Sequence, residues 1–83
     1  MGTYRSIASL SHGMIEKVYI VEGAYVHEWE PLFLIKTTEG LTRKVELGAA
    51  GLIAKVHVQE GDIVNPDTTL AILEDSTHVS SCD

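Results

Sequence analysis

Residues 4–37 and 42–75 carry the same pattern of side chains, aligned at an offset of 38 positions without a gap. Nine of these 34 aligned pairs are identical, whereas ordinary composition gives about two identities by chance. The identical pairs are Arg5 and Arg43, Gly13 and Gly51, Ile15 and Ile53, Lys17 and Lys55, Val18 and Val56, Glu22 and Glu60, Gly23 and Gly61, Val26 and Val64, and Leu32 and Leu70. A chain of 83 residues allows a single small domain. The repeat therefore predicts that each half supplies half of one domain and cannot fold alone.

Each half contains short β-strands separated by turns. Residues 14–21 and 52–58 are rich in β-branched side chains and bounded by glycine, which is typical of strands. The repeated Glu-Gly pairs at 22–23 and 60–61 supply turns, and prolines at 31 and 66 interrupt the pattern again. The predicted strands are residues 5–9, 14–21, 25–26, 32–36, 43–47, 52–58, 63–64 and 70–74.

The repeated apolar positions are expected to form one core between two halves related by a pseudo-twofold axis, because a four-stranded half cannot bury its apolar face alone. This predicts an all-β flattened sandwich or barrel. The predicted core is Ile7, Ile15, Val18, Ile20, Val26, Leu32, Leu34, Val45, Ile53, Val56, Val58, Val64, Leu70 and Ile72. The same axis places the link between the halves, around residues 37–41, at one end and both termini at the other.

Composition excludes several classes of function. With 12 acidic and 6 basic side chains, the net charge of −6 lacks the clustered cations of a nucleic-acid surface. The single cysteine, Cys82, can form neither an internal disulfide nor a thiolate zinc site, so we expect a cytoplasmic protein. No apolar run reaches the roughly 18 residues of a membrane span, and no signal peptide is recognisable. Residues 76–83 lack apolar periodicity and are expected to be a disordered tail after a domain of residues 1–75.

Histidines and nucleophiles give no sign of a metal or catalytic site. His12, His27, His57 and His78 lack the short spacing of metal ligands, so we expect solvated histidines. No Ser, Cys or Asp motif places a nucleophile beside a base. We therefore expect a protein that is not an enzyme.

Two further groups have alternative interpretations. Tyr25 and Trp29 are expected to cap the end of the core, although exposed aromatic side chains could instead anchor a partner. The acidic residues near the turns are expected to form a solvated face, and the alternative is a docking surface for a basic partner. These acidic residues are Glu22, Glu28, Glu30, Glu60, Asp62 and Asp67.

The repeated motif resembles that of the biotinyl and lipoyl carrier domains over residues 4–75. In both halves Gly-x-Ile-x-x-Val precedes Gly-x-x-Val, at residues 13–26 and 51–64, and the second copy follows the segment Ala49-Ala50. The resemblance implies a flattened β-barrel of two four-stranded antiparallel sheets with quasi-twofold symmetry. It also implies a hairpin between the halves whose tip displays one lysine, to which biotin or lipoate is attached.

This chain departs from that family at the hairpin tip. Counting forward from Leu32 places the attachment position on Glu39, and counting back from Gly51 places it on Gly40. Neither residue offers an amine. The hairpin is one residue longer than usual, and Glu39-Gly40 is predicted to form its turn. Lys36 and Lys44 flank the hairpin, but strand alternation and distance from the apex make them poor substitutes.

Our leading hypothesis is a non-enzymatic biotinyl/lipoyl-like domain that lacks the modifiable lysine and acts by protein–protein contact, with no cofactor. Its partner would belong to a carboxylase or dehydrogenase complex, or would be a biotin or lipoate ligase. The alternative is a biotin or lipoyl carrier protein modified at Lys36 or Lys44. A third interpretation, a fragment of a membrane-fusion-type export adaptor, is disfavoured because the link between the halves is only a few residues long.

Overall fold

The computed structural model describes residues 3–75, which form eight β-strands. The expected disorder of residues 76–83, together with Cys82 and His78, lies outside the described residues. The strands are β1 (Thr3–Ala8), β2 (Gly13–Val18), β3 (Tyr25–Val26), β4 (Phe33–Thr37), β5 (Thr42–Val45), β6 (Gly51–Val56), β7 (Ile63–Val64) and β8 (Thr69–Asp75).

The strands form two four-stranded antiparallel sheets, which confirms the predicted all-β architecture. The first sheet has the order β1-β8-β6-β3, and the second has the order β5-β4-β2-β7. Each sheet takes two strands from each half of the chain, so the halves are interleaved rather than side by side.

The quasi-twofold symmetry extends to irregularities in the sheets. The pairing of β2 with β4 shifts between Ile15 and Lys17, and the pairing of β6 with β8 shifts between Ile53 and Lys55. These positions are equivalent in the repeat. Shared register defects of this kind arise when both halves follow the same backbone course.

β2 and β6 end earlier than the sequence pattern predicted, at Val18 and Val56. After Val18 the chain leaves the second sheet, and the N–H of Gly23 donates to Ile53 O of the first sheet at 2.8 Å. The equivalent bond joins Gly61 N to Ile15 O, also at 2.8 Å. The residues in between therefore connect the two sheets, although they include the β-branched Ile20, Val21 and Val58.

Acidic side chains near these connections accept hydrogen bonds from the backbone. Glu22 Oε2 accepts a hydrogen bond from Val56 N at 3.1 Å, and Glu60 Oε2 accepts one from Val18 N at 3.4 Å. Asp62 Oδ2 similarly accepts from Gln59 N at 2.9 Å. Part of the acidic group near the turns thus satisfies backbone donors, a role that neither sequence interpretation included.

Glycine is required where neighbouring strands approach closely. A Cβ atom added to Gly13 would lie far inside 3.0 Å of the carbonyl oxygen of Lys36. A Cβ atom added to Gly51 would meet the carbonyl oxygen of Glu74 in the same way. This explains why both glycines are identical between the halves.

The core lies between the sheets and differs in register from the prediction in β4 and β8. Leu34 and Ile72 were expected inside but are only half-buried, and Phe33, Ile35, Ala71 and Leu73 lie inside instead. The prediction assumed that inward and outward side chains alternate from Leu32 and Leu70. Both are buried, but so is the residue after each of them. The buried apolar residues are Ile7, Ile15, Ile20, Val26, Leu32, Phe33, Ile35, Ala49, Ile53, Val64, Leu70, Ala71 and Leu73, with Val18, Val45, Leu47, Val56 and Val58 partly buried against them.

The link between the halves and the ends of the described chain lie at opposite ends of the sandwich, as predicted. Thr3 pairs with Asp75 at one end of the first sheet, and Ala8 pairs with Thr69 at its other end. From there a short loop leads to Gly13, which pairs with Thr37 beside the link. We call this second end the hairpin end.

Candidate functional site

The hairpin tip is the candidate site because the resemblance noted in the sequence predicts the attachment position there. The loop of residues 38–41 joins β4 to β5, and Thr37 holds it from both sides. Thr37 N donates to Leu41 O at 2.7 Å, and Thr37 O accepts from Gly40 N at 2.9 Å. Leu41 N donates to Thr37 Oγ1 at 3.1 Å. The tip is therefore a defined turn.

Glu39 and Gly40 lie in this turn, as the sequence predicted, with Thr38 and Glu39 as its two central residues and Gly40 as its last. Gly40 has φ of 88°, a conformation that glycine adopts without a steric penalty. Glu39 is exposed. The apex consequently presents a carboxyl group and a glycine, and neither can act as the amine nucleophile that an amide bond requires.

Lys36 lies on the outer face of the second sheet. It pairs with Met14 on one side and Thr42 on the other. Because its neighbour Ile35 points into the core, alternation directs the exposed Lys36 side chain away from the core. Its amine therefore projects from a strand rather than from the turn.

Lys44 lies farther from the apex, in the edge strand β5. It pairs with Leu34, and its Nζ lies 3.7 Å from Glu46 Oε2. This exposed ion pair contributes little stability. It nevertheless directs the amine along β5 and away from the turn.

The hairpin borders an open groove of about 400 Å³ between β2, the loop and β7. Lys36, Thr38 and Gly40 line one side of the groove, and His12 and Asn65 line the other. His12 Nδ1 and Asn65 Oδ1 are 3.0 Å apart, and Thr38 N donates to His12 O at 3.3 Å. The hairpin is thus hydrogen-bonded to the loop before β2, and that loop in turn contacts the loop after β7.

The hairpin end also exposes apolar side chains that sequence reasoning missed. Leu10 is 88% exposed and Leu41 is 56% exposed. Arg43, also exposed, makes no salt bridge to any of residues 3–75. Its equivalent Arg5 donates from Nε to Asp75 Oδ2 at 2.8 Å. The equivalent of Asp75 is Thr37, so the symmetry is broken beside the hairpin.

The other sequence candidates are dispersed. Within residues 3–75, no three His, Cys, Asp or Glu side chains are grouped to hold a metal ion. Nor does any helix of this part of the chain reach the length and apolarity needed to cross a bilayer.

The expectation that Tyr25 and Trp29 cap the core is wrong, since they are 52% and 64% exposed. Tyr25 lies in β3 on the face opposite the buried Val26, and Trp29 lies in the turn that follows β3.

Comparisons with known proteins add information about the fold. No protein-family model and no curated protein matches the chain. Among solved structures, the chain is similar to part of the urea carboxylase of Kluyveromyces lactis, with a TM-score of 0.76 and 18% identity over 86% of this chain. It is also similar to part of a single-chain, multi-domain long-chain acyl-CoA carboxylase, with a TM-score of 0.81 and 17% identity over 92% of this chain. The chain spans only 6% and 7% of those two proteins. The TM-scores show that the chain shares the fold of these parts, and at identities this low they show nothing beyond the fold.

Proposed function

We propose that the chain is a biotinyl/lipoyl-like domain that lacks the attachment lysine and acts by protein–protein contact rather than by catalysis. The observation that carries this proposal is the apex of the hairpin. The turn that would display a cofactor is present, but Glu39 and Gly40 occupy it.

Contact is favoured over cofactor transport because the two nearest amines are poorly placed. Lys36 projects from the outer face of the second sheet, and Lys44 lies beside Glu46. A ligase that reads a lysine at a turn would meet a carboxylate at Glu39. Leu10 and Leu41 instead offer apolar surface at this end, of the kind that protein contacts bury.

The fold neighbours support a carboxylase-type assembly as the partner. Both are large carboxylases, and this chain resembles only a small part of each. A domain of this fold without an attachment lysine could occupy the place of a carrier domain in such an assembly. It would then position other subunits and carry no group itself.

A second candidate is a carrier modified with biotin or lipoate at Lys36 or Lys44. One observation favours it: Lys36 is exposed and lines the groove that borders the hairpin. Attachment there requires the ligase to accept an amine on a strand face.

Ligase labelling separates the two candidates. The purified chain is incubated with biotin ligase, ATP and biotin, or with lipoate ligase, ATP and lipoate, and its intact mass is measured. A known carrier domain serves as the positive control. We expect no mass increase for the natural sequence. Its matched variant Glu39→Lys places an amine at the apex of the same turn, and we expect it to gain one label.

A stoichiometric mass increase of the natural sequence would overturn the proposal. The variants Lys36→Arg and Lys44→Arg then identify the modified amine, because arginine keeps the charge but cannot form the amide. Label that disappears in one of them establishes the carrier function.

A further inference from the structure

The turn after β3 holds a tryptophan in a conformation that tryptophan rarely adopts. Glu30 N donates to His27 O at 3.2 Å, which closes a four-residue turn. Glu30 Oε1 accepts from His27 N at 2.7 Å and reinforces it. Trp29, the third residue, has φ of 63°. Turns with positive φ at this place favour glycine or asparagine, so a bulky side chain there is strained.

The second half of the chain provides an internal comparison. Its equivalent turn closes with Thr68 N donating to Asn65 O at 3.0 Å, and Asp67 has φ of 75°. Here Pro66 and Asp67 occupy the two central positions, and both types suit such a turn. The same backbone therefore forms without an aromatic residue. The turn itself does not explain Trp29.

The indole is nevertheless held in place. A Cβ atom added to Gly48 would lie 2.7 Å from both Cη2 and Cζ2 of Trp29, so the ring rests directly on the glycine backbone. Trp29 N also donates to Leu47 O at 2.8 Å. The residue equivalent to Gly48 is Leu10, so the second half does not repeat the contact between a glycine backbone and an aromatic ring. An aromatic ring that is fixed and still 64% exposed loses little freedom when a partner covers it.

The charged residues next to Trp29 in the chain are acidic, and Glu30 Oε1 also lies 3.4 Å from His27 Nδ1. Glu28 and Glu30 flank Trp29 and are exposed, and no lysine or arginine occurs from residue 18 to residue 35. An aromatic face beside carboxylates attracts cations, arginine in particular. The second half builds the same turn without an aromatic residue, so an exposed tryptophan held at a φ that bulky residues rarely adopt indicates a functional contact.

We propose that Trp29, with Glu28 and Glu30, is a docking surface for an arginine- or lysine-containing segment of a partner protein. This inference rests on the proposed contact function and adds to it a second surface, distinct from that of Leu10 and Leu41, together with the chemistry of its partner. The surface lies away from the hairpin end, so a partner bound here leaves the hairpin accessible.

Because Trp29 is the only tryptophan of the chain, its fluorescence reports directly on this surface. The full chain is titrated with a short, capped Arg-Gly repeat peptide, and separately with the same peptide carrying citrulline, the neutral isostere of arginine. We expect a saturable change in emission with the arginine peptide that weakens as salt is added. We expect none with the citrulline peptide.

Three variants test the role of the ring, with binding measured by calorimetry. Trp29→Asp copies the second half and is expected to fold at least as stably while it weakens binding about tenfold or more. Gly48→Ala displaces the ring without removing it and should weaken binding in the same direction. Tyr19→Ala removes an aromatic residue that is 52% exposed but outside this turn, and should leave binding unchanged.

Three outcomes overturn the inference. The first is no saturable change with the arginine peptide, and the second is equal affinity for Trp29→Asp and the natural sequence. The third is an emission change that follows the chain's own concentration in sedimentation, since the occupant would then be a second copy. The ligase experiment is independent of all three, so failure of this surface and failure of the proposed function can be told apart.

Discussion

The substitution Gly51→Ala tests whether the pairing of β6 with β8 depends on the close approach of their backbones. In Gly51→Ala the new Cβ would lie far inside 3.0 Å of the Glu74 carbonyl oxygen, a separation that real Cβ atoms essentially never pass. The obstructing atom belongs to the backbone, so β6 and β8 must move apart. Overpacking of this kind costs roughly 1–3 kcal/mol, and losing one or two ladder hydrogen bonds adds about 0.5–1.5 kcal/mol each. We expect a loss of about 2–4 kcal/mol in the free energy of unfolding, and a similar loss for Gly13→Ala in the equivalent place.

Urea unfolding followed by far-ultraviolet circular dichroism measures this loss, and thermal unfolding gives a second reading. For a domain of this size each 1 kcal/mol lowers the melting temperature by about 4–8 °C. Gly23→Ala and Gly61→Ala are the matched controls, because a Cβ there meets nothing within 4 Å and only the positive φ values of 90° and 95° oppose it. They are expected to cost about 1 kcal/mol each. If Gly51→Ala unfolds at the same urea concentration as the natural sequence, or loses less than Gly23→Ala, the close-contact reasoning is refuted.

Two further predictions use pairs of equivalent residues and the same unfolding measurements. Arg5→Gln is expected to cost about 1–2 kcal/mol, because it removes the 2.8 Å guanidinium contact of the buried Asp75 carboxylate. Arg43→Gln should change stability by less than about 0.5 kcal/mol, and equal losses for the two arginines would contradict the asymmetry of their surroundings. Glu22→Ala is expected to cost about 1 kcal/mol, since Val56 N loses its acceptor, whereas Glu22→Gln keeps an acceptor oxygen and should cost less. Glu60→Ala should show the same order with a smaller loss, because its bond to Val18 N is longer at 3.4 Å.

The repeat was sufficient to predict the fold class, the placement of the hairpin and its Glu39-Gly40 turn. It succeeded because the constraints were local or duplicated: glycine at positive φ, turns in register, and apolar positions shared by both halves. The core register of β4 and β8 could not be read in the same way. Leu32 is buried but lies just before β4, where strand alternation does not yet apply. Leu70 lies inside β8 at a register shift in the pairing with β1, so Leu70 and the next residue are both buried.

The repeat also did not predict the surroundings of individual side chains. The ring of Trp29 lies against Gly48, which is distant in sequence, and the equivalent residues Asp67 and Leu10 include no aromatic side chain. The ion pair of Arg5 depends on Asp75, whose equivalent is a threonine. A repeat predicts what the halves share, and the candidate contact residues lie where the halves differ.

The interleaving of the strands has a consequence for how such a chain assembles. Of the six strand pairings among residues 3–75, only β2 with β4 and β6 with β8 lie within one half; the other four join the halves. Cleavage of the chain between Glu39 and Gly40 would thus produce two fragments that each lack most of their neighbours but complement one another. A single half, present as two identical copies, could make the same set of pairings as a symmetric dimer. The fold of this single chain is in this sense that of a dimer whose two subunits share one backbone.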